Sequence, residues 1–303
     1  MISRRNFVVT GLAGLAGAIG ATAWGATVLG KSASAAEGMD FGVQLWVLRK
    51  LMEKDFEGTL AQVAAIGIKR VEFAGFFGRT AGQVRAALAQ AGLRAVGAHC
   101  IAAADSDDQV KRMVDFCREA GIASLAAAVP SRKDASQGKD VFRHIELSDW
   151  QWSAERFNAI GARVHGAGLR FLYHNHNIDF LKYGDVVAFD EVLRITDPAL
   201  VGIEFDVGNA VAAGVDPYAY LEKYPRRFEL VHVKEWAAGF APTFTIVFPK
   251  YAPFGQGTMD WDKLLAALRS HGIHEVLIEQ DGTPSGDELG AVRQAYRYLK
   301  TKA

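Results

Sequence analysis

The sequence predicts a single (β/α)8 TIM barrel, and three observations carry that expectation. Short β-branched runs alternate with longer amphipathic segments eight times, the repeat number a closed eight-stranded barrel requires. Gly67, Gly92, Gly121 and Gly168 stand at or just past the ends of the helical stretches, where glycine takes a left-handed cap without strain. No GxGxxG turn follows the first strand, and no linker or low-complexity tract divides the chain. A nucleotide-binding open sheet and a two-domain chain therefore lack support.

In chain order, a first strand is expected at Phe41–Trp46, followed by a helix over Phe56–Ala65 with apolar residues three and four apart. The pattern repeats with strand Arg70–Ala74 and helix Val84–Ala91, then strand Arg94–His99 and helix Val110–Ala120. Strand Ala123–Val129 precedes helix Trp152–Ala167, and strand Arg170–His174 precedes helix Ala188–Ile195. The last three pairs are Val201–Asp206 with Tyr218–Lys223, Glu229–Val233 with Trp261–Ser270, and Glu275–Glu279 with Gly286–Lys300. Two connections are long: Pro130 to Asp149, and Trp236 to Met259 with Phe240, Phe244, Phe248, Tyr251 and Phe254. Loops of this length are usually lids or binding loops. The aromatic one would stack on or close over a bound ring, or serve as a hydrophobic plug or a subunit contact in a homo-oligomer.

Residues 1–36 stand apart. Ser3-Arg4-Arg5-Asn6-Phe7-Val8-Val9 leads into a weakly apolar Gly/Ala-rich run to Gly30, and Ala33-Ser34-Ala35 and Ser34-Ala35-Ala36 are both small-x-small cleavage sites. This segment resembles a twin-arginine signal, which implies delivery by the twin-arginine export machinery to the periplasm rather than a stable membrane anchor. Its removal would take Arg4, Arg5 and Lys31 and no acidic residue, leaving 31 basic against 34 acidic side chains in a catalytic barrel over residues 37–303. The near balance argues against a nucleic-acid partner held by bulk electrostatics. Cys100 and Cys117 fit neither a CxxC redox motif nor a zinc knuckle, so buried, unpaired thiols are expected.

The chemistry is expected where polar residues meet the strand ends: Glu72, His99, His174, His176, Asp206, His232 and Glu279. In a barrel those ends converge on one face, where active sites are built. Two imidazoles and two carboxylates suit a divalent transition ion better than an all-oxygen calcium site. Lys234 follows His232 by two residues and so faces the same side.

Tyr173-His174-Asn175-His176, Glu204-Phe205-Asp206-Val207-Gly208, Asp216-Pro217, His232-Val233-Lys234, Gly255-Gln256-Gly257 and Ile278-Glu279-Gln280-Asp281 resemble the xylose isomerase-like barrel family. Phe41 to Leu45 and Val71 to Gly75 match its first two strands. The resemblance implies a sugar isomerase/epimerase, of the HNH subgroup, with one divalent metal ion (Mn, Co, Zn or Mg) on His174, Asp206, His232 and Glu279. At the strand-five position, where the family usually has glutamate, this chain has His174, which weakens a symmetric two-base scheme. The implied mechanism uses Glu279 as base on the α-hydrogen of a keto-sugar, Lys234 to stabilise the enediolate and His176 as second acid. Glu72, His99, Trp46 and Phe254 are expected to contact the substrate. No glycine-rich phosphate-cradling loop is present, so an unphosphorylated carbohydrate is expected. A dehydratase or 3-keto-glycoside lyase using the same residues is the alternative; a non-catalytic sugar-binding barrel is a third.

Overall fold

The computed structural model describes residues 38–134, 144–245, 248–280, 282–283 and 285–303. The export-signal expectation therefore lies outside the described residues. Eight parallel strands close into a barrel: β1 (Asp40–Gln44), β2 (Arg70–Phe73), β3 (Arg94–Ile101), β4 (Ser124–Ala127), β5 (Arg170–His174), β6 (Val201–Asp206), β7 (Phe228–Val233) and β8 (Glu275–Ile278). Strand β8 pairs back with β1, Phe41 opposite Val276 and Val43 opposite Ile278, so no edge remains. The expected strands lie within a few residues of these bounds. At β1 the difference has a local cause. Gln44 Oε1 accepts the Trp46 N–H at 2.8 Å, which turns the chain into the 3-10 helix Leu45–Leu48 and takes Trp46 out of the strand.

The helices start and stop for the expected reasons. Thr80 and Gln83 form a capping box at the start of Ala81–Ala91, and Ser106 and Gln109 do the same for Asp107–Ala120. These helices end at Gly92 and Gly121, with φ of 66° and 77°. The sequence pattern had not indicated helices Arg49–Lys54 and Val207–Ala212, nor the small antiparallel pair Lys182–Tyr183 and Val186–Val187. Cys100 and Cys117 are free thiols with Sγ atoms 3.9 Å apart, Cys117 buried and Cys100 half-buried. Among the described residues no helix is long and apolar enough to cross a membrane.

Strand alternation divides the barrel into an outward and an inward set. Outward residues such as Phe73, Phe171, Phe205, Val231 and Ile278 are fully buried beneath the helices. Each such side chain contributes roughly 1.5–3 kcal/mol of burial. Inside, Val96, Ala126, Leu172, Leu230 and Leu277 form a separate apolar cluster. Two residues further along their strands come His174, His232 and Glu279, so the apolar cluster is the floor on which the polar groups stand.

Gly97 on β3 makes room for one of those groups. A Cβ there would lie 2.4 Å from Glu72 Oε1 and 2.8 Å from Ser124 Oγ. Gly97→Ala is expected to destabilise the protein by about 1–3 kcal/mol through overpacking, read as a lower urea midpoint with an unchanged m-value. A midpoint equal to wild type would show that Glu72 has space to move.

Candidate active site

Every group at the mouth of the barrel comes from a strand end or the residues just beyond it. Glu72, His174, Glu204, Asp206, His232, Lys234 and Glu279 are all buried. Unpaired, these charges would be untenable in such a setting; they are held by one another in two tiers.

In the lower tier, Glu72 Oε2 accepts from Gln44 Nε2 at 3.0 Å and lies 2.9 Å from His232 Nε2 and 3.3 Å from His99 Nε2. Glu204 Oε1 bonds His99 Nε2 at 2.6 Å and His174 Nδ1 at 2.9 Å, and lies 3.0 Å from His232 Nε2. In the upper tier, Lys234 Nζ sits between Asp206 Oδ2 at 2.7 Å and Glu279 Oε2 at 2.6 Å. Glu279 Oε2 also meets His232 Nδ1 at 2.8 Å.

Asp206 is immobilised from several sides. Its Oδ1 accepts Asn209 N–H at 2.8 Å as the cap of helix Val207–Ala212, and its Oδ2 accepts Asn209 Nδ2 at 2.7 Å. Its own N–H donates to Asn175 Oδ1 at 2.9 Å. On the other side of β5, Asp179 accepts the His176 backbone N–H at 3.1 Å and the Tyr173 hydroxyl. This anchors the turn that carries the His176 ring, whose centre is 4.9 Å from that of His174.

The electrostatics separate the imidazoles. Burial, assisted by the nearby charge of His232, pushes His174 down to about 3, so it is neutral. Burial also disfavours the charged His99, but Glu72 and Glu204 outweigh it and raise His99 to about 10. Glu204 in turn is held well below the usual carboxylate range, because His232 and His99 overcome its burial. Burial lifts Asp206 to about 6 despite Lys234, whereas Lys234 and His232 overcome burial at Glu279 and hold it well below the usual range.

The donor atoms of His174, Asp206, His232 and Glu279 all lie within 4.8 Å of one another. His174 Nε2 is buried without a hydrogen-bond partner, 3.7 Å from Asp206 Oδ2 and 3.9 Å from Glu279 Oε2. A neutral imidazole with one nitrogen bonded to a carboxylate and the other bare is how metal-ligating histidines are commonly held. The four residues therefore fit a divalent ion.

The structure thus gathers His174, His176, Asp206, His232, Lys234 and Glu279, with His99 at their side. Lys234 is buried rather than a solvated rim charge. Three of the expected substrate contacts are buried or half-buried. Glu72 is fully buried as an anchor for Gln44 and His232. Phe254 is 2% exposed and stacks on Trp261 with ring centres 4.7 Å apart, packed in the core. Trp46 is half-buried beyond β1, with the Arg49 guanidinium 4.3 Å from its ring centre.

Gln44, Asn175, Glu204 and Asn209 were not singled out from the sequence. For Glu204 a signal existed: it precedes Asp206 by two residues, and strand alternation aims both into the barrel. The asparagines carry no such signal, since their partners lie on neighbouring elements.

Comparison with known proteins supplies a lineage for this arrangement. A family described as xylose isomerase-like TIM barrel matches residues 60–302. Inosose dehydratase of Clostridium beijerinckii is 25% identical over 274 residues, covering 82% of this chain and 90% of that protein. Inosose dehydratase of Clostridium botulinum is 23% identical over 274 residues, covering 83% and 91%. The solved structure of a sugar phosphate isomerase/epimerase from Parabacteroides distasonis superposes with a TM-score of 0.70 at 22% identity, covering 89% of this chain and 98% of that one.

Proposed function

Because the chain belongs to the xylose isomerase-like TIM-barrel family, we propose that it is a divalent-metal-dependent lyase acting on an unphosphorylated keto-sugar or keto-inositol. It would eliminate water or an alcohol from the carbon next to the one that loses its proton. The observation that carries this reading is that the proton-handling groups are unlike. Glu279 is an ionised carboxylate, whereas the end of β5 offers the imidazoles of His174 and His176. Removing and returning a proton on two faces of a sugar is served by two similar bases. An elimination instead needs one base and one acid.

His174, Asp206, His232 and Glu279 would hold the ion. When bound, it would polarise the substrate carbonyl as a Lewis acid. The contacts of the Glu279 carboxylate to Lys234 and His232 fall on Oε2; Oε1 is the oxygen we assign to the α-hydrogen. Lys234 Nζ would place positive charge where the enolate oxygen develops. His176 would give its proton to the departing oxygen. The likeness to inosose dehydratases over most of the chain supports elimination.

A second reading, isomerisation or epimerisation at the same site, is favoured by two carboxylates, Asp206 and Glu279, facing each other across Lys234. Incubating keto-sugars and keto-inositols with the metal-restored protein in deuterated water, with NMR and mass detection, separates the readings. Elimination yields a product lighter by water or alcohol; isomerisation leaves the formula intact apart from deuterium. Metal-free protein whose turnover is unchanged by Asp206→Ala would overturn both.

Chelation is expected to abolish turnover and lower the melting temperature. Restored metal at about one hundred times its Kd should return roughly 3 kcal/mol of stability. Identical melting curves with and without the chelator would count against the site. We further propose periplasmic export of the mature chain, carried by the twin-arginine-like segment of residues 1–36. Mass analysis of the exported protein should find its N-terminus at or next to Glu37.

A further inference from the structure

We propose that Glu204 is the positioning residue that sets the strength and stoichiometry of divalent-ion binding, by holding His174 with its proton on Nδ1 and its Nε2 bare. This rests on the metal-dependent reading above. Glu204 is fully buried on β6, and its Oε1 lies within 2.6–3.0 Å of ring nitrogens from His99, His174 and His232, on three different strands. The His99 and His174 separations, 2.6 and 2.9 Å, are hydrogen bonds, whereas His232 Nε2 at 3.0 Å has no hydrogen-bond partner. A His174 Nδ1 that donates its proton to Glu204 has no lone pair for a second cation, although the donor atoms of His99, His174, Glu204 and His232 also lie within 4.8 Å of one another.

The consequence reaches the other side of the ring. With the Nδ1 proton of His174 on Glu204, the Nε2 lone pair faces Asp206 and Glu279, both under 4 Å away. The negative charge on Glu204 also raises the electron-donating strength of that nitrogen. Glu72, kept in place by Gln44, lies 2.9 Å from His232 Nε2, and His232 Nδ1 is turned to Glu279 at 2.8 Å. An amide at position 204 would carry no charge, and rotated by half a turn it would offer N–H to His174 and select the opposite tautomer.

The test compares wild type, Glu204→Gln and Glu204→Asp by calorimetric titration with Co2+ and by the visible spectrum of the Co2+ complex. Nitrogen-15 NMR of the histidine rings in zinc-loaded wild type accompanies it. One ion per chain, a Kd weakened about 10–100-fold in Glu204→Gln, and a His174 ring protonated only at Nδ1 are expected. Two ions per chain, an unchanged Kd in Glu204→Gln, or a proton on His174 Nε2 would overturn the inference while leaving the metal-dependent reading intact. A wild type that binds no Co2+ would overturn that reading and this inference together. The ring spectrum is taken on wild type, so a variant that fails to fold does not shelter the inference.

Discussion

Glu279→Gln is expected to lower kcat by about 10^3-fold while leaving a folded barrel. The substitution keeps the shape of the side chain and removes its capacity to take a proton. Its neighbours keep other partners: Lys234 retains Asp206 at 2.7 Å, and His232 retains Glu72 at 2.9 Å and Glu204 at 3.0 Å. Few buried charges are thus left uncompensated, and the melting temperature should change far less than the rate. Because Glu279 also belongs to the ion-binding set, kcat must be measured at saturating metal, where a loss of affinity no longer contributes. A variant within threefold of wild type under those conditions would remove Glu279 from the role of base.

Glu235→Ala is expected to cost about 2–4 kcal/mol of stability, more than a typical substitution. Glu235 follows Lys234, is fully buried, and faces away from the ion-binding set into the long connection after β7. Its carboxylate accepts the N–H groups of Gly255 at 3.0 Å and Met259 at 3.1 Å, together with the Trp261 indole at 2.5 Å. Gly257 is equally constrained, because a Cβ there would lie 2.3 Å from Glu235 Oε1. Truncation would leave the buried Trp261 indole without its acceptor, at roughly 1–3 kcal/mol, and would release the part-buried N–H groups of Gly255 and Met259. Urea unfolding should show a much lower midpoint; a loss under about 1 kcal/mol would mean that water replaces the carboxylate. The aromatic connection is therefore stapled at its base. Trp236 donates to Gly208 O at 2.7 Å and stacks on Tyr251, with ring centres 4.5 Å apart.

Much of this molecule was readable one strand at a time. Strands β5 and β6 and helices Ala188–Ile195 and Trp261–Ser270 coincide with the bounds expected from the sequence. Their apolar periodicities are strong and their ends carry caps or charged residues. The inward direction of His174, Asp206, His232, Lys234 and Glu279 was equally legible, since it needs only an alternation of two. The β1 boundary was missed because a side chain, Gln44, competes for the backbone of Trp46. The packing of Phe254 on Trp261 was not legible because an aromatic in a long loop reads the same whether it awaits a ligand or fills the core.

The sequence by itself determined the barrel, the end at which its polar residues gather and their mixed imidazole and carboxylate character. All of these follow from local periodicity and residue type. Tertiary structure alone decided that Glu204 joins His99, 105 positions away in sequence. It also decided that His174 keeps one nitrogen bare, that Lys234 bridges two carboxylates, and that Glu72 lies beneath the site rather than at its surface. Those outcomes depend on how closing the barrel sets opposite strands at hydrogen-bonding distance and strips water from the groups between them. Which proton rests on which atom is settled only when that burial is complete.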